Sequence, residues 1–313
     1  MTGFAPMDYV TNGIMPADFW TILGFTGIGK SFFLCLMAVA AAKQGKKVLI
    51  VTREMSPDQL MLRIDAIFTA ISPSKMRVAE MSEEEWEVYN NFVDNVSESI
   101  IVEQSTGGVS QVASFQQKHG NDITFVDGPY LMIEDSSSSN GWEKVNEVWI
   151  GLRNIALSSG IPIVATMQLK EAKANLSNIA MARAIAQQCT SIWGLEQDED
   201  HEKTKSIVVR SLKQRDAEKD GNFDVSWDFD GMDLDVISAN IKGYEEWMTK
   251  KKTEDMKTVN NVEKNMKQDI MESQNFAITT VKLKHLEQGE KWEEEVYDIE
   301  DCIRATFLLD LIY

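Results

Sequence analysis

The stretch Gly24-Phe25-Thr26-Gly27-Ile28-Gly29-Lys30-Ser31 fills every fixed position of the pattern G-x-x-x-x-G-K-[ST]. This constrains the chain more than anything else in it, because the pattern works only between a strand and the first turn of a helix. The glycines let the backbone curl so that successive N–H groups face a polyphosphate, and a helix N-terminus behind them adds its positive end. The flanks supply that context. Phe19-Trp20-Thr21-Ile22-Leu23 is a short apolar run with β character, and residues 32–42 form a helix-favouring run without Gly or Pro. Lys30 is expected on the β and γ phosphates and Ser31 on Mg²⁺, with Gly24, Thr26, Gly27, Gly29 and Phe32 completing the nucleotide contacts. The chain therefore reads as a nucleoside triphosphate binder.

Downstream strands end in polar residues, and the carboxyl edge of a parallel sheet is where such chemistry collects. Residues 46–52 form a buried strand that runs out at Arg53-Glu54-Met55, after which Ser56 caps and Pro57 opens a helix reaching Ile71. Glu54 is placed to polarise the water that attacks a γ phosphate; a solvated strand-end glutamate is the alternative. Ile123-Thr124-Phe125-Val126-Asp127 is an apolar strand ending in a carboxylate, the form in which an aspartate holds Mg²⁺ through its water shell. Gly128 follows it rather than a second acid, which leaves Glu54 as the better base. Residues 160–168 form another central strand, closed by Gln168, a candidate sensor of the γ phosphate. Residues 170–186 then carry Lys170, Lys173 and Arg183 with one acid, a candidate contact for a nucleic-acid backbone or simply a basic solvated face.

Further elements follow from periodicity. Residues 82–96 read as an acidic helix whose Trp86, Tyr89 and Phe92 point to a core, and 100–103 as a strand. Residues 110–119 and 142–158 read as helices, with a serine-rich loop at 134–141. Residues 206–215 and 222–229 make a hairpin about the turn at Asp220-Gly221-Asn222. Its first strand ends in Lys213-Gln214-Arg215, and Arg215 lies too far along the chain to join the local phosphate site, so it would act on a neighbour's site.

Composition limits the partners. The net charge of −18 gives no global electrostatic footprint for nucleic acid, so any DNA contact falls to local loops or to a channel lined by several copies. No apolar run approaches the ~18 residues of a membrane span, and the N-terminus lacks a signal-peptide pattern. Cys35, Cys189 and Cys302 are scattered, as reduced thiols in a cytoplasmic protein would be, and His119, His201 and His285 read as surface or packing residues. From Gly243 the texture becomes polar and helical, with 16 acidic against 10 basic residues in 243–313 and an apolar end.

Taken together these residues resemble the ATPase domain of DnaB-like replicative helicases, in the RecA-like class, including bacteriophage versions. The likeness covers about residues 2–235. Thr2-Gly3-Phe4 with Gly13 resembles T-G-F…G, and Glu54-Met55-Ser56 with Gln59-Leu60 and Arg63 resembles S-L-E-M…Q-L…R. Val126-Asp127 with Leu131-Met132 resembles I-D-Y-L-Q-L-M, residues 161–169 resemble V-P-V-I…S-Q-L, and Lys213-Gln214-Arg215 resembles K-Q-R-N-G. Gly128-Pro129 departs from the family's Tyr-Leu, Ser177-Asn178-Ile179-Ala180 from S-D-L-R, and residues 186–190 from E-Q-D-A-D.

The resemblance implies an α/β fold, a RecA-like P-loop ATPase core over residues 1–242 with a central, mostly parallel sheet flanked by helices, followed by a helical, acidic C-terminal extension over 243–313. It further implies an ATP-dependent helicase moving along single-stranded DNA during replication, with ATP and Mg²⁺ at subunit interfaces of a homo-oligomer, a hexameric ring. In this picture Glu54 is the base, Lys30 and Gln168 act on the phosphates, Lys213 and Arg215 act in trans, and residues 136–141 and 170–183 line the channel. The extension would dock a primase, polymerase or loader. Two other readings keep the fold: a RecA-like recombinase, or a non-motor adaptor of the replication machinery.

Overall fold

A computed structural model describes residues 1–95, 97–133, 141–169, 185–215, 221–228, 233–254 and 257. Chain contacts divide it into two units, Met1–Tyr244 and Glu245–Tyr313. In the second, residues 245–254 are helical, and Lys251 lies over the Trp247 ring at 5.0 Å.

The first unit is built on one nine-stranded sheet. Its strands are β1 Phe19–Phe25, β2 Val48–Thr52, β3 Ile100–Gln104, β4 Ile123–Asp127, β5 Ile163–Leu169, β6 Ser191–Glu196, β7 Ser206–Gln214, β8 Asn222–Asp228 and β9 Asp233–Asn240. They lie in the order β3-β2-β4-β5-β1-β6-β7-β8-β9. The pairs from β3 to β6 are all parallel, and those from β6 through β9 are antiparallel. The parallel half explains why its strands read as unbroken apolar runs: helices cover both faces.

Alternate residues serve the two covers. Trp20, Ile22, Val48, Ile50, Phe125 and Val164 pack on one face against helices α2 (Lys30–Lys43) and α3 (Pro57–Thr69). Phe19, Leu23, Leu49, Val51, Val126 and Ala165 pack on the other, where helix α7 (Gly141–Ser159) supplies Val148, Trp149 and Leu152 and α6 (Ser110–His119) supplies Val112. Helix α2 is apolar nearly all round and correspondingly buried, as a helix crossing the centre of a sheet must be. The Trp149 indole donates to the Thr21 hydroxyl at 3.0 Å, so the one polar atom of this large core side chain is satisfied.

The N-terminal lead-in is itself structured. Residues Ala5–Thr11 form helix α1, whose Asp8 carboxylate accepts from the Thr2 backbone at 2.6 Å. Phe4 stacks on Phe33 of α2 with ring centroids 4.4 Å apart, an anchor worth about 2 kcal/mol in apolar burial.

The hairpin appears as antiparallel β7 and β8, and the helix over 110–119 has the expected bounds. The aromatic stripe on helix α5 (Glu83–Asn95; the intervening α4 is Pro73–Val78) departs from expectation. Of its three rings only Phe92 is buried, against Phe68 at 4.9 Å, while Trp86 is 39% exposed. The acidic face of α5 makes it a peripheral helix that touches the core through its last turns. Strands β6 and β9 are additional to the strands expected from the sequence. Serine-rich residues 134–140 and the basic stretch with Lys170, Lys173 and Arg183 lie outside the described residues.

Candidate active site

Four strand ends meet at the carboxyl edge of the sheet. Register makes this unavoidable: Gly24 pairs with Gln168, Val126 with Ala165, and Thr52 with Asp127. The termini of β1, β5, β4 and β2 therefore stand side by side, carrying the phosphate loop, Gln168, Asp127 and Glu54.

The loop after β1 turns through Gly27 and Gly29 at φ of 84° and 93°, and Gly29 is the N-cap of α2. An L side chain is strained at that φ, so glycine here is a requirement of the cap. Lys30 is buried, and its Nζ donates across the loop to the Phe25 carbonyl at 2.9 Å, which keeps the turn closed. Burial pushes its ammonium pKa down, while Glu54 and Asp127 push it up. A polyphosphate seated in the loop would offer the same ammonium stronger, anionic acceptors.

Asp127 is fully buried. Its Oδ1 accepts from the Thr166 hydroxyl at 2.8 Å, and Thr166 in turn accepts from the Gly128 backbone at 2.9 Å, which fixes the carboxylate plane. Burial drives this carboxyl pKa upward; the Ser31 and Thr166 hydroxyls draw it down, Glu54 raises it and Lys30 lowers it. Its Oδ2 is buried without a hydrogen-bond partner among the described residues. An orphaned carboxylate oxygen beside Ser31 suits a hydrated divalent cation. No group of three or more potential metal-ligating side chains occurs among the described residues, so the fit is to Mg²⁺ shared with phosphates and water rather than to a protein cage.

Glu54 leaves β2 in a pinned turn. The Thr52 hydroxyl donates to the Met55 carbonyl at 3.0 Å and accepts from the Met55 N–H at 3.1 Å, and the Arg53 N–H donates to the Asp127 carbonyl at 3.0 Å. Ser56 then caps α3 in a reciprocal box with Gln59. The Glu54 side chain lies across Gly128, where an added Cβ would come 3.2 Å from its Cγ. Its Oε1 accepts from the Tyr130 hydroxyl at 2.5 Å. Burial and the Glu54 carboxylate hold the Tyr130 phenol pKa well above its usual value. The same hydroxyl is 3.1 Å from Gln168 Oε1, and Gln168 Nε2 is 2.6 Å from the Thr26 hydroxyl in the phosphate loop.

A cavity of about 590 Å³ opens over these groups, lined by Thr26, Lys30, Ser31 and Gln168 on one side and by Arg63 and Arg77 on another. Thr166, Tyr130 and Arg77 carry no signal in the sequence that singles them out. Thr166 becomes visible only once the strand order is known, because β5 must neighbour β4 for it to reach Asp127.

Lys213 and Arg215 are not part of this group. Gln214 is level with Ser191, and Ser191 with Trp20, so both cations lie near the start of β1, about 17 Å of strand from Phe25. The Lys213 ammonium donates to the Ala186 carbonyl and, at 2.7 Å, to that of Cys189; Arg215 is exposed.

Residues 1–230 match the family model for the DnaB-like helicase C terminal domain. The chain belongs to that family. Among curated relatives, a probable replicative DNA helicase of Trieres chinensis is 27% identical over 209 residues, covering 64% of this chain and 45% of the relative. The replicative DNA helicase DnaB of Helicobacter pylori is 25% identical over 206 residues, with 64% and 42% covered. The chain thus spans under half the length of these DnaB relatives. Among solved structures, an isolated ATPase domain superposes with a TM-score of 0.67 at 18% identity, covering 75% of this chain and 89% of that one. A DnaB-like replicative helicase, solved for its interactions with primase, gives 0.67 at 19%, covering 75% and 61%. These likenesses establish a RecA-like fold of the DnaB type.

Proposed function

We propose that the chain is the ATP-hydrolysing motor of a replicative DNA helicase, acting in the cytoplasm as a homo-oligomer, a hexameric ring around single-stranded DNA. The observation that carries this reading is the convergence of the phosphate loop, Asp127 with its orphaned oxygen, and Glu54 at one sheet edge. Gly24, Thr26, Gly27, Gly29 and Phe32 frame the nucleotide, Lys30 neutralises its phosphates, and Ser31 with Asp127 holds Mg²⁺. Bound Mg²⁺ supplies charge neutralisation at the β and γ phosphates. Glu54 takes a proton from the attacking water, and Gln168 senses the γ phosphate at the start of the segment bearing Lys170, Lys173 and Arg183, which would touch DNA.

Arg215, remote from its own loop and exposed, is supplied to the neighbour's nucleotide, with Lys213 beside it. Residues 1–242 would be the motor and 243–313 an extension that docks a primase, polymerase or loader. Family membership argues against the recombinase and adaptor readings.

The test is unwinding of a forked duplex by the full chain with ATP and Mg²⁺. Wild type should separate the strands and Lys30→Ala should not. Arg215→Ala should still bind nucleotide and fail to unwind. Strand separation by Lys30→Ala, or none by wild type once rings are verified by light scattering, would contradict the reading; full activity of Arg215→Ala would remove the trans role.

A further inference from the structure

Glu54 is an exposed glutamate at the tip of a turn, and a side chain so placed has no reason of its own to keep one rotamer. Two features around it supply the reason. Gly128, at φ 74°, leaves room for the Glu54 side chain to lie against the backbone following Asp127, since a Cβ there would sit 3.2 Å from Glu54 Cγ and 3.4 Å from Oε2. Tyr130, two residues on, donates a hydrogen bond of 2.5 Å to Oε1, a short charge-assisted contact. The pattern this segment resembles has Tyr at 128 and Gln at 130; this chain has Gly and Tyr, so the seat belongs to its own sequence.

The seat connects to the phosphate loop. Tyr130 has one proton, which the shorter contact to Glu54 takes. The Gln168 side chain bridges the two ends: its Oε1 stands 3.1 Å from the phenol oxygen, and its Nε2 donates to the Thr26 hydroxyl at 2.6 Å. Tyr130 thus donates to Glu54 and lies against Gln168, and Gln168 donates to Thr26. One file of polar contacts runs from the nucleotide loop to the base across the ends of β1, β5, β4 and β2. With Oε1 held by the phenol, Oε2 is left as the oxygen that accepts a proton from water.

We infer that Tyr130 is a positioning residue for Glu54, fixing the general-base carboxylate over Gly128 and tying its position through Gln168 to Thr26 of the phosphate loop. The inference rests on the reading of Glu54 as the base of ATP hydrolysis.

The experiment compares wild type, Tyr130→Phe, Gly128→Ala and Glu54→Gln as full chains, measuring kcat and KM for ATP hydrolysis, melting temperature and binding of a fluorescent ATP analogue. Tyr130→Phe keeps the ring and removes only the donor, so analogue affinity and melting temperature should stay at wild-type values while kcat falls roughly tenfold. KM for ATP should stay at the wild-type value, so that the loss falls on kcat alone, as it must when only the base is displaced. Gly128→Ala should lower kcat by displacing the same carboxylate, and Glu54→Gln should abolish hydrolysis. If Glu54→Gln is inactive while Tyr130→Phe matches wild type in kcat, the positioning role is overturned and the base reading stands. A loss in Tyr130→Phe that falls on KM or on melting temperature as well also overturns it, since mere packing would do that. If Glu54→Gln hydrolyses ATP at the wild-type rate, the base reading fails and the inference with it.

Discussion

Asp127 and Asp65 are both carboxylates that burial makes costly, and they differ in what stands beside them. Asp127 has the Thr166 and Ser31 hydroxyls and the Lys30 ammonium beside it. Among the described residues Asp65, on the inner side of α3, has the Tyr89 hydroxyl at 3.4 Å from its Oδ2, and its Oδ1 is buried without a partner. Burial pushes its carboxyl up to about 6, with Tyr89 pulling weakly the other way. An aspartate raised in the fold is favoured there in its protonated form, so its ionisation withdraws stability as pH rises from about 4 to 6, and the loss is complete at neutral pH. Asp65→Asn should therefore melt above wild type at pH 7.5, by about 2–4 °C for roughly 1 kcal/mol after allowance for solvent screening at a partly exposed group. The gap should close as pH falls to 4. Thermal melts across that range check it, and a variant that melts below wild type at pH 7.5 would contradict it.

At the scale of elements, legibility followed the strength of local signals. The phosphate loop, the strand ending at Asp127 and the helix opened by Ser56-Pro57 were readable because turn glycines, an apolar run and a cap leave little choice of conformation. β6 is not marked in the sequence because Ile192-Trp193-Gly194-Leu195 is short and broken by a glycine, and it is held by its neighbours β1 and β7 rather than by its own propensity. β9 is weakly marked because its first residues include Asp233 and Asp235, which an edge strand with one exposed side tolerates. The Tyr130–Glu54 contact was invisible for a related reason: 76 residues separate them, and only the strand order brings them together. The start of α3 illustrates an element whose cap also serves the site, since Ser56 fixes the helix immediately after Glu54. Ser56→Ala should cost about 1 kcal/mol and lower the melting temperature by about 2–4 °C, as read by calorimetry. An unchanged transition would mean that the Gln59 half of the box suffices.

At the scale of the whole molecule, the chain is strongly acidic and the motor proposed for it would act on nucleic acid. The net charge of −18 argues against binding DNA on a broad surface. In the proposed ring a central strand would answer this, because each subunit would present only a small basic loop and the copies would add up. The two ends of the sheet divide the labour: the carboxyl edge carries the nucleotide groups, and the opposite edge carries Arg215, out of reach of its own loop. In the proposed ring each nucleotide site would be completed by a neighbour's Arg215. The most direct measurement is steady-state ATP hydrolysis by the full chain with and without single-stranded DNA, alongside Glu54→Gln. The account predicts hydrolysis that DNA strongly stimulates and that Glu54→Gln loses while still binding nucleotide. A rate indifferent to DNA, or undiminished in Glu54→Gln, would contradict it.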